Sequence, residues 1–230
     1  MIQTARAWLQ ASTSVAILTG AGVSAESGVP TFRGPGGLWR DYRPEQLATP
    51  EAFARDPKLV WQWYDWRRQV LAKLEPNAAH RALAARPLTL VTQNVDGLHE
   101  RAGSRGVIKL HGDIWTVRCL DCGESRRDDT VPLVELPPRC ACGGMLRPGV
   151  VWFGESLPQP EWHAAEAAVQ GCDVLLVVGT SAVVYPAAGL ISLARRARVI
   201  EVNLEETPVS KLVDASLRGK AGEILPELLS

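Results

Sequence analysis

Four short runs of apolar and β-branched residues, each closed by glycine, asparagine or small polar residues, constrain the fold of this chain most tightly. Val15-Ala-Ile-Leu-Thr19 ends in Gly20-Ala-Gly22, and Leu88 to Thr92 ends in Gln93-Asn-Val-Asp-Gly97. Val174 to Val178 precedes Gly179-Thr-Ser181, and Arg198 to Val202 precedes Asn203. A strand with one wet face alternates apolar and polar residues, whereas a strand covered on both faces is apolar throughout. These runs are of the second kind, and helical stretches separate them. The pattern predicts an α/β fold, a Rossmann-like parallel sheet with helices on both faces. In such sheets the ligand crevice lies where the strands end, and that is where the polar residues gather here.

Two stretches break the rhythm. Residues 36–85 hold Gly36-Gly37, several prolines and tryptophans, and a helix predicted from Pro57 to about Leu74. Residues 116–149 hold a cysteine cluster, charged turns and Pro137-Pro138. Both read as insertions, a helical one and a zinc ribbon, that form a smaller domain. Residues 1–35, 86–115 and 150–230 are left for the Rossmann-like domain.

Of five cysteines, Cys119, Cys122, Cys140 and Cys142 follow C-x2-C-x17-C-x-C. With no export signal a cytoplasmic chain is expected, where thiols stay reduced and such spacing points to metal rather than disulfides. Two pairs on two tight turns close a tetrahedron of thiolates around one Zn²⁺, leaving no position for water, so the site is structural. The second pair is one residue shorter than the common ribbon spacing. Cys172 stands in apolar sequence and reads as a small buried hydrophobe.

Charge and hydropathy exclude other classes. Lys plus Arg number 25 and Asp plus Glu 25, so the net charge is zero. The global positive field of a nucleic-acid binder is absent, and no direct nucleic-acid binding is expected. No apolar run approaches the roughly 20 residues of a membrane-spanning helix.

Gly20-x-Gly22-x-x-Ala25 directly after a strand fits the dinucleotide fingerprint, in which glycines let the backbone approach a pyrophosphate. The acidic residue expected about 20 residues later, at the end of the next strand, is missing. Asp41 has the separation but lies in Gly-Gly-Leu-Trp-Arg-Asp-Tyr, which is no strand. A hydride-transferring dehydrogenase is therefore disfavoured, and Asn203 is the natural ribose contact.

Gly20-Ala-Gly-Val-Ser-Ala-Glu-Ser-Gly-Val-Pro-Thr-Phe-Arg33 resembles the signature of the sirtuins, the NAD-dependent protein-lysine deacylases. Thr92-Gln-Asn-Val-Asp-Gly-Leu-His99, Leu110-His-Gly-Asp113, Val151-Trp-Phe-Gly-Glu155, Gly179-Thr-Ser181 and Glu201-Val-Asn203 are similar to that family's other motifs, in its order. The resemblance implies that NAD is consumed as a co-substrate. An acyl-lysine carbonyl oxygen attacks the ribose carbon that carries nicotinamide, through an oxocarbenium-like state, and the acyl group ends on ADP-ribose. It also implies that Gly20, Ala21, Gly22, Ser24, Ala25, Glu26, Thr31, Phe32, Arg33 and Trp39 hold the cofactor. Gln93, Asn94, Val95, Asp96, Gly179, Thr180, Ser181, Asn203 and Ala221 complete that set. His111 is the implied base, Asn94 orients the ribose and Asp96 accepts from the nicotinamide carboxamide. An unperturbed histidine titrates near ~6.5, which suits a base at neutral pH. Phe32 and Arg33 lie on a Gly- and Pro-flanked loop suited to closing over the cofactor. Val151, Phe153, Gly154 and Val184 lie in short extended segments, between which an acylated protein substrate adds as a strand.

The helix from Pro57 presents an apolar stripe, Val60, Trp63, Tyr64, Leu71 and Leu74, interrupted by Arg67. A buried unpaired cation is costly. Arg67 therefore either reaches water or a carboxylate of the fold, or awaits an anionic ligand; Arg68 is expected to point elsewhere. Tyr64-x-x-Arg67 is similar to the pair that marks class III sirtuins, and Ala48 to the small residue that widens their acyl pocket. That likeness implies succinyl- or malonyl-lysine as substrate. Plain deacetylation, mono-ADP-ribosyl transfer and a non-catalytic NAD-sensing module are the alternatives.

Overall fold

The computed structural model describes residues 1–30 and 44–230. The chain runs α1 (Ile2–Ala11), β1 (Val15–Thr19), a 3₁₀ helix (Ala21–Ser27), α2 (Pro44–Leu47), α3 (Pro50–Arg55), α4 (Pro57–Leu71) and α5 (Ala78–Ala84). It continues through β2 (Thr89–Thr92), α6 (Leu98–Arg101), β3 (Ile108–Lys109), β4 (Gly112–Cys119), β5 (Ser125–Arg127) and β6 (Leu146–Val150). Then follow α7 (Gln159–Gly171), β7 (Val174–Val178), a second 3₁₀ helix (Ala187–Leu193), β8 (Arg198–Asn203), β9 (Ala215–Arg218) and α8 (Ala221–Leu228).

All four predicted strands join one six-stranded sheet of order β3-β2-β1-β7-β8-β9. Every neighbouring pair is parallel. The connections run outward from β1 in one direction and from β7 in the other, so the crevice of this open sheet lies at the carboxyl ends of β1 and β7. Ile17, Leu176, Val178, Ile200 and Val202 point to one face, where Ala5 of α1, Leu83 of α5 and Leu225 of α8 cover them. Ala16, Leu18, Leu175 and Val177 point to the other, under Val169 of α7 and Leu190 of the second 3₁₀ helix. Burial on both sides explains the uninterrupted apolar runs. The two edge strands escaped the sequence pattern: β3 has two residues, and β9 reads Ala-Ser-Leu-Arg.

A separate antiparallel sheet, β5-β4-β6, shares a third core with α4. There Val60, Trp61, Trp63, Tyr64 and Leu71 pack with Ile114, Val117, Leu146, Val150 and Trp152. Asp56 caps α4 by accepting from Leu59 N at 2.9 Å, with Pro57 next in the first turn. The helix ends at Leu71 rather than Leu74: Lys73 N and Leu74 N donate to Val70 O and Leu71 O in a tightened last turn. Glu75 precedes Pro76, which disfavours helical backbone there.

Arg68 does point to another flank of α4 than Arg67, but it is no ordinary arginine. It is fully buried, its Nε donates to Ile114 O at 2.8 Å, and its Nη1 lies 3.8 Å from Asp128. Its guanidinium carbon sits 5.6 and 5.8 Å from the rings of Trp61 and Trp115. The three-stranded sheet covers this flank of α4, so the helix has more than one buried face. The segments Val151–Glu155 and 182–185 are a correction: they are turns and bends rather than extended segments.

Candidate active site at the carboxyl edge of the parallel sheet

The loops after β1 and β7 touch. Gly20 N donates to Val178 O at 3.0 Å and Gly22 N to Gly179 O at 2.7 Å. A Cβ on Gly22 would fall 2.8 Å from the Gly179 backbone, so the fingerprint glycines are needed for this approach. Gln93 Nε2 donates to Thr180 Oγ1 at 3.0 Å, and Asn203 Nδ2 donates to Thr180 O at 3.0 Å. Glu26 accepts from Gly222 N at 2.7 Å, which ties the end of the first motif to the start of α8 beside Ala221. Ala21, Ala25, Val95 and Ser181 lie along the same loops. Residues of four separate motifs thus meet at one sheet edge, a cradle of close backbone and amide donors that suits a dinucleotide. Thr31, Phe32, Arg33 and Trp39, with Asp41, lie outside the described residues.

Asn94 and Asp96 are buried in a network that the sequence did not reveal. Asn94 Nδ2 donates to Gly20 O (3.1 Å) and Ser24 Oγ (3.2 Å), and Ser24 donates to Asp96 Oδ2 at 2.8 Å. Asp96 Oδ1 accepts from Leu98 N at 2.9 Å. Burial pushes the Asp96 carboxyl upward, while those two donors and the Arg67 charge pull it back. His80, absent from the sequence-based set, reaches Ser24 Oγ through Nε2 at 3.3 Å and accepts from Asn77 N through Nδ1 at 3.3 Å. The capping pair Asn77-x-x-His80 was its one signal.

His111 lies between Leu110 and Gly112 at the mouth of this edge. Its Nδ1 is 3.0 Å from Gln93 O. A carbonyl only accepts, so Nδ1 carries the proton and neutral His111 keeps its lone pair on Nε2. Burial lowers its pKa, and the Gln93 carbonyl opposes the shift.

The acyl-pocket candidates converge. Phe153 N donates to Ala48 O at 2.9 Å, and Trp152 Nε1 donates to Tyr64 Oη at 3.0 Å. Burial pushes the Tyr64 phenol up to about 12, so it stays a neutral hydroxyl. Arg67 is buried, its guanidinium carbon 4.8 Å from the Trp63 ring. Its Nε has no hydrogen-bond partner, and no carboxylate pairs with it among the described residues. Burial lowers its pKa, opposed by Tyr64 and Asp96. The neighbouring segment is fixed by Arg147, which grips both oxygens of Glu155 at 2.5 and 2.9 Å and stacks on Trp152 at 3.5 Å. Gly154 and Val184 lie exposed in the two loops expected to flank a peptide. A cavity of about 530 Å³ beside β4 and β6 is lined by Lys109, Asp113, Arg147 and Glu155 rather than by these groups. Lys109 pairs there with Asp113, and Arg147 with Glu155.

The four clustered thiols lie within 4.8 Å of one another. Cys119 and Cys142 are 3.5 Å apart and Cys122 and Cys140 3.8 Å, Sγ to Sγ. Tetrahedral Zn–S bonds of about 2.3 Å require sulfur separations of about 3.8 Å, so one Zn²⁺ fits. Gly144 O accepts from Cys140 N at 2.8 Å, and a Cβ on Gly144 would fall 2.8 Å from Cys119 Sγ. This glycine turn accommodates the short second pair. Cys172 is buried among aliphatics, as expected.

Residues 20–186 match the model of the Sir2 family. The NAD-dependent protein deacylase of Aquifex aeolicus is 57% identical over 216 residues, 90% of each chain. NAD-dependent protein deacylase 2 of Pyrobaculum aerophilum is 55% identical over 229 residues, 96% of this chain and 92% of its own. A crystal structure of a Sir2 homologue with NAD superposes with a TM-score of 0.93 at 50% identity, covering 99% of this chain and 92% of the other. A Sir2 complex with a p53 peptide and NAD⁺ gives 0.89 at 30% identity, covering 100% and 97%.

Proposed function

The chain belongs to the Sir2 family and is an NAD-dependent protein deacylase, and from that premise we propose that it removes succinyl and malonyl groups, besides acetyl, from protein lysines. The observation that carries the reading is Arg67, a buried guanidinium with an orphan Nε and no anionic partner among the described residues. A fold keeps such a cation at a cost unless a ligand supplies the missing charge. A carboxylate at the tip of the acyl chain would form charge-assisted, bidentate hydrogen bonds with it. Trp63 stacking and the Tyr64 hydroxyl hold the guanidinium's surroundings rigid.

Bound NAD supplies a ribose carbon bearing a nicotinamide leaving group and the ADP-ribose that takes up the acyl group. Gly20, Gly22, Glu26, Gln93, Gly179, Thr180 and Asn203 would line its path. Asn94, whose Nδ2 is committed to Gly20 and Ser24, keeps Oδ1 for a ribose hydroxyl. Asp96, desolvated and anchored at both oxygens, offers remaining lone pairs to an amide donor. His111 accepts a hydroxyl proton at Nε2, while Gln93 O steadies the imidazolium through Nδ1–H. The loops at Val151–Glu155 and 182–185, with Phe153 and Val184 exposed, would take the peptide as a strand between them.

The test is acyl selectivity. Wild type should favour succinyl- over acetyl-lysine on one peptide by about tenfold or more in kcat/KM, since ~1.4 kcal/mol is one decade. Arg67→Met keeps volume and removes charge. It should lose most desuccinylation through KM while deacetylation persists. An equal fall on both acyl groups would return Arg67 to a structural role. Tyr64→Phe should act more weakly on selectivity and also destabilise, because it strands the buried Trp152 N–H.

A further inference from the structure

Two buried histidines lie behind Asn94, and only one of them reaches its side chain. His80 and His99 meet edge to face with ring centroids 4.8 Å apart. The His80 line ends on Ser24 Oγ, which the Asn94 amide also contacts. His99 starts a second line. Its Nε2 is 3.0 Å from Thr19 Oγ1, which donates to Thr92 Oγ1 at 2.8 Å, and Thr92 Oγ1 accepts from Asn94 N at 3.0 Å. Because the Thr19 proton goes to Thr92, His99 must donate through Nε2, which leaves Nδ1 bare. That Nδ1 is buried without a partner. An orphan acceptor is consistent with this tautomer, whereas the opposite direction would strand a fixed imidazole N–H. Burial holds His99 neutral, pushing its pKa down to about 3.

We propose that His99 is a positioning residue for the deacylation reaction, holding the Asn94 backbone through the hydroxyls of Thr19 and Thr92. The inference rests on the reading that Asn94 orients the ribose. The His80–Ser24 line fixes the side-chain amide and the His99–Thr19–Thr92 line fixes the main chain, so together they leave Asn94 one orientation. Loss of the second line lets the ribose-facing group drift, which costs rate more than affinity.

The test measures nicotinamide release at saturating NAD and acyl-peptide, with both KM values. Thr19→Val, nearly isosteric, and His99→Leu should each lower kcat about tenfold and change either KM less than about twofold. The double variant should be no worse than either single one, since both cut the same line. Thr19→Ser and His99→Gln, which retain a hydroxyl and a donor, should recover most of the rate. Wild-type kcat in folded Thr19→Val, additive losses, or failure of both conservative variants to restore the rate would overturn the proposal. Asn94→Ala separates the two levels. If it is inactive while Thr19→Val and His99→Leu are unimpaired, only this inference falls; if it is fully active, the role of Asn94 falls as well.

Discussion

His111 and His80 differ in which ring nitrogen the main chain has claimed. In His111 Nδ1 donates to a carbonyl and Nε2 stays basic; in His80 Nδ1 accepts from Asn77 N and Nε2 is spent on Ser24. One residue type thus yields a base and a strut, a distinction no motif carries. His111→Ala should fold normally and lower deacylation by about 10²–10⁴-fold; a folded variant with more than half the activity would refute the base assignment. Because burial lowers the His111 pKa, the basic form survives to lower pH. The acid limb of kcat/KM should therefore lie below the usual histidine value near ~6.5. A limb at or above that value in a pH–rate profile would contradict the placement. Arg67 and Arg68 show the opposite limit of sequence reading. Periodicity put Arg67 in a buried stripe, where it is. The same logic gave Arg68 only a direction away from that stripe, because a hydrophobic stripe presumes one covered face. Trp61, Asp65 and Arg68 are buried because a second sheet packs there, and that partner lies far away in sequence.

At the scale of elements, the strands that were legible are the ones covered on both faces, and the missed β3 and β9 are the two sheet edges. An edge strand needs little apolar surface, so composition does not mark it. The cysteine knuckles were legible because coordination fixes spacing locally. Cys122→Ser should lose zinc and unfold the β5-β4-β6 sheet together, since metal and folding are coupled in small modules. Metal content by atomic absorption and the thermal midpoint should fall in step. A zinc-free yet fully stable variant would remove the metal from the folding account. The expected substrate segments carry three exposed apolar residues, Phe153, Val183 and Val184. They lie in turns and bends outside both sheets, where sequence pattern alone does not set backbone conformation.

For the whole molecule, three apolar cores organise the described residues: two flank the parallel sheet, and the third joins α4 to the β5-β4-β6 sheet. The histidine pair sits behind the loops of the parallel sheet, and its burial links stability to pH. His80 is held down to about 4 and His99 to about 3, mainly by burial. The unfolded chain binds protons near ~6.5, so the stability these residues contribute is complete above that pH and is lost as pH falls toward the folded values. Urea midpoints should drop between pH 7 and 5, and the drop should shrink in a His80→Gln/His99→Gln double variant. An unchanged slope would assign acid sensitivity to other groups.

β6 has a consequence at this same scale. It leaves the second cysteine knuckle at Leu146 and hands the chain at Val150 to Val151, where the proposed peptide track begins. Five extended residues span about 17 Å, and Arg147 on that strand clamps Glu155 at the track's far end. Metal and track are therefore the two ends of one short rod. Removing zinc should thus raise the KM for acylated peptide more than it lowers kcat; a peptide KM unchanged by chelation would break this link.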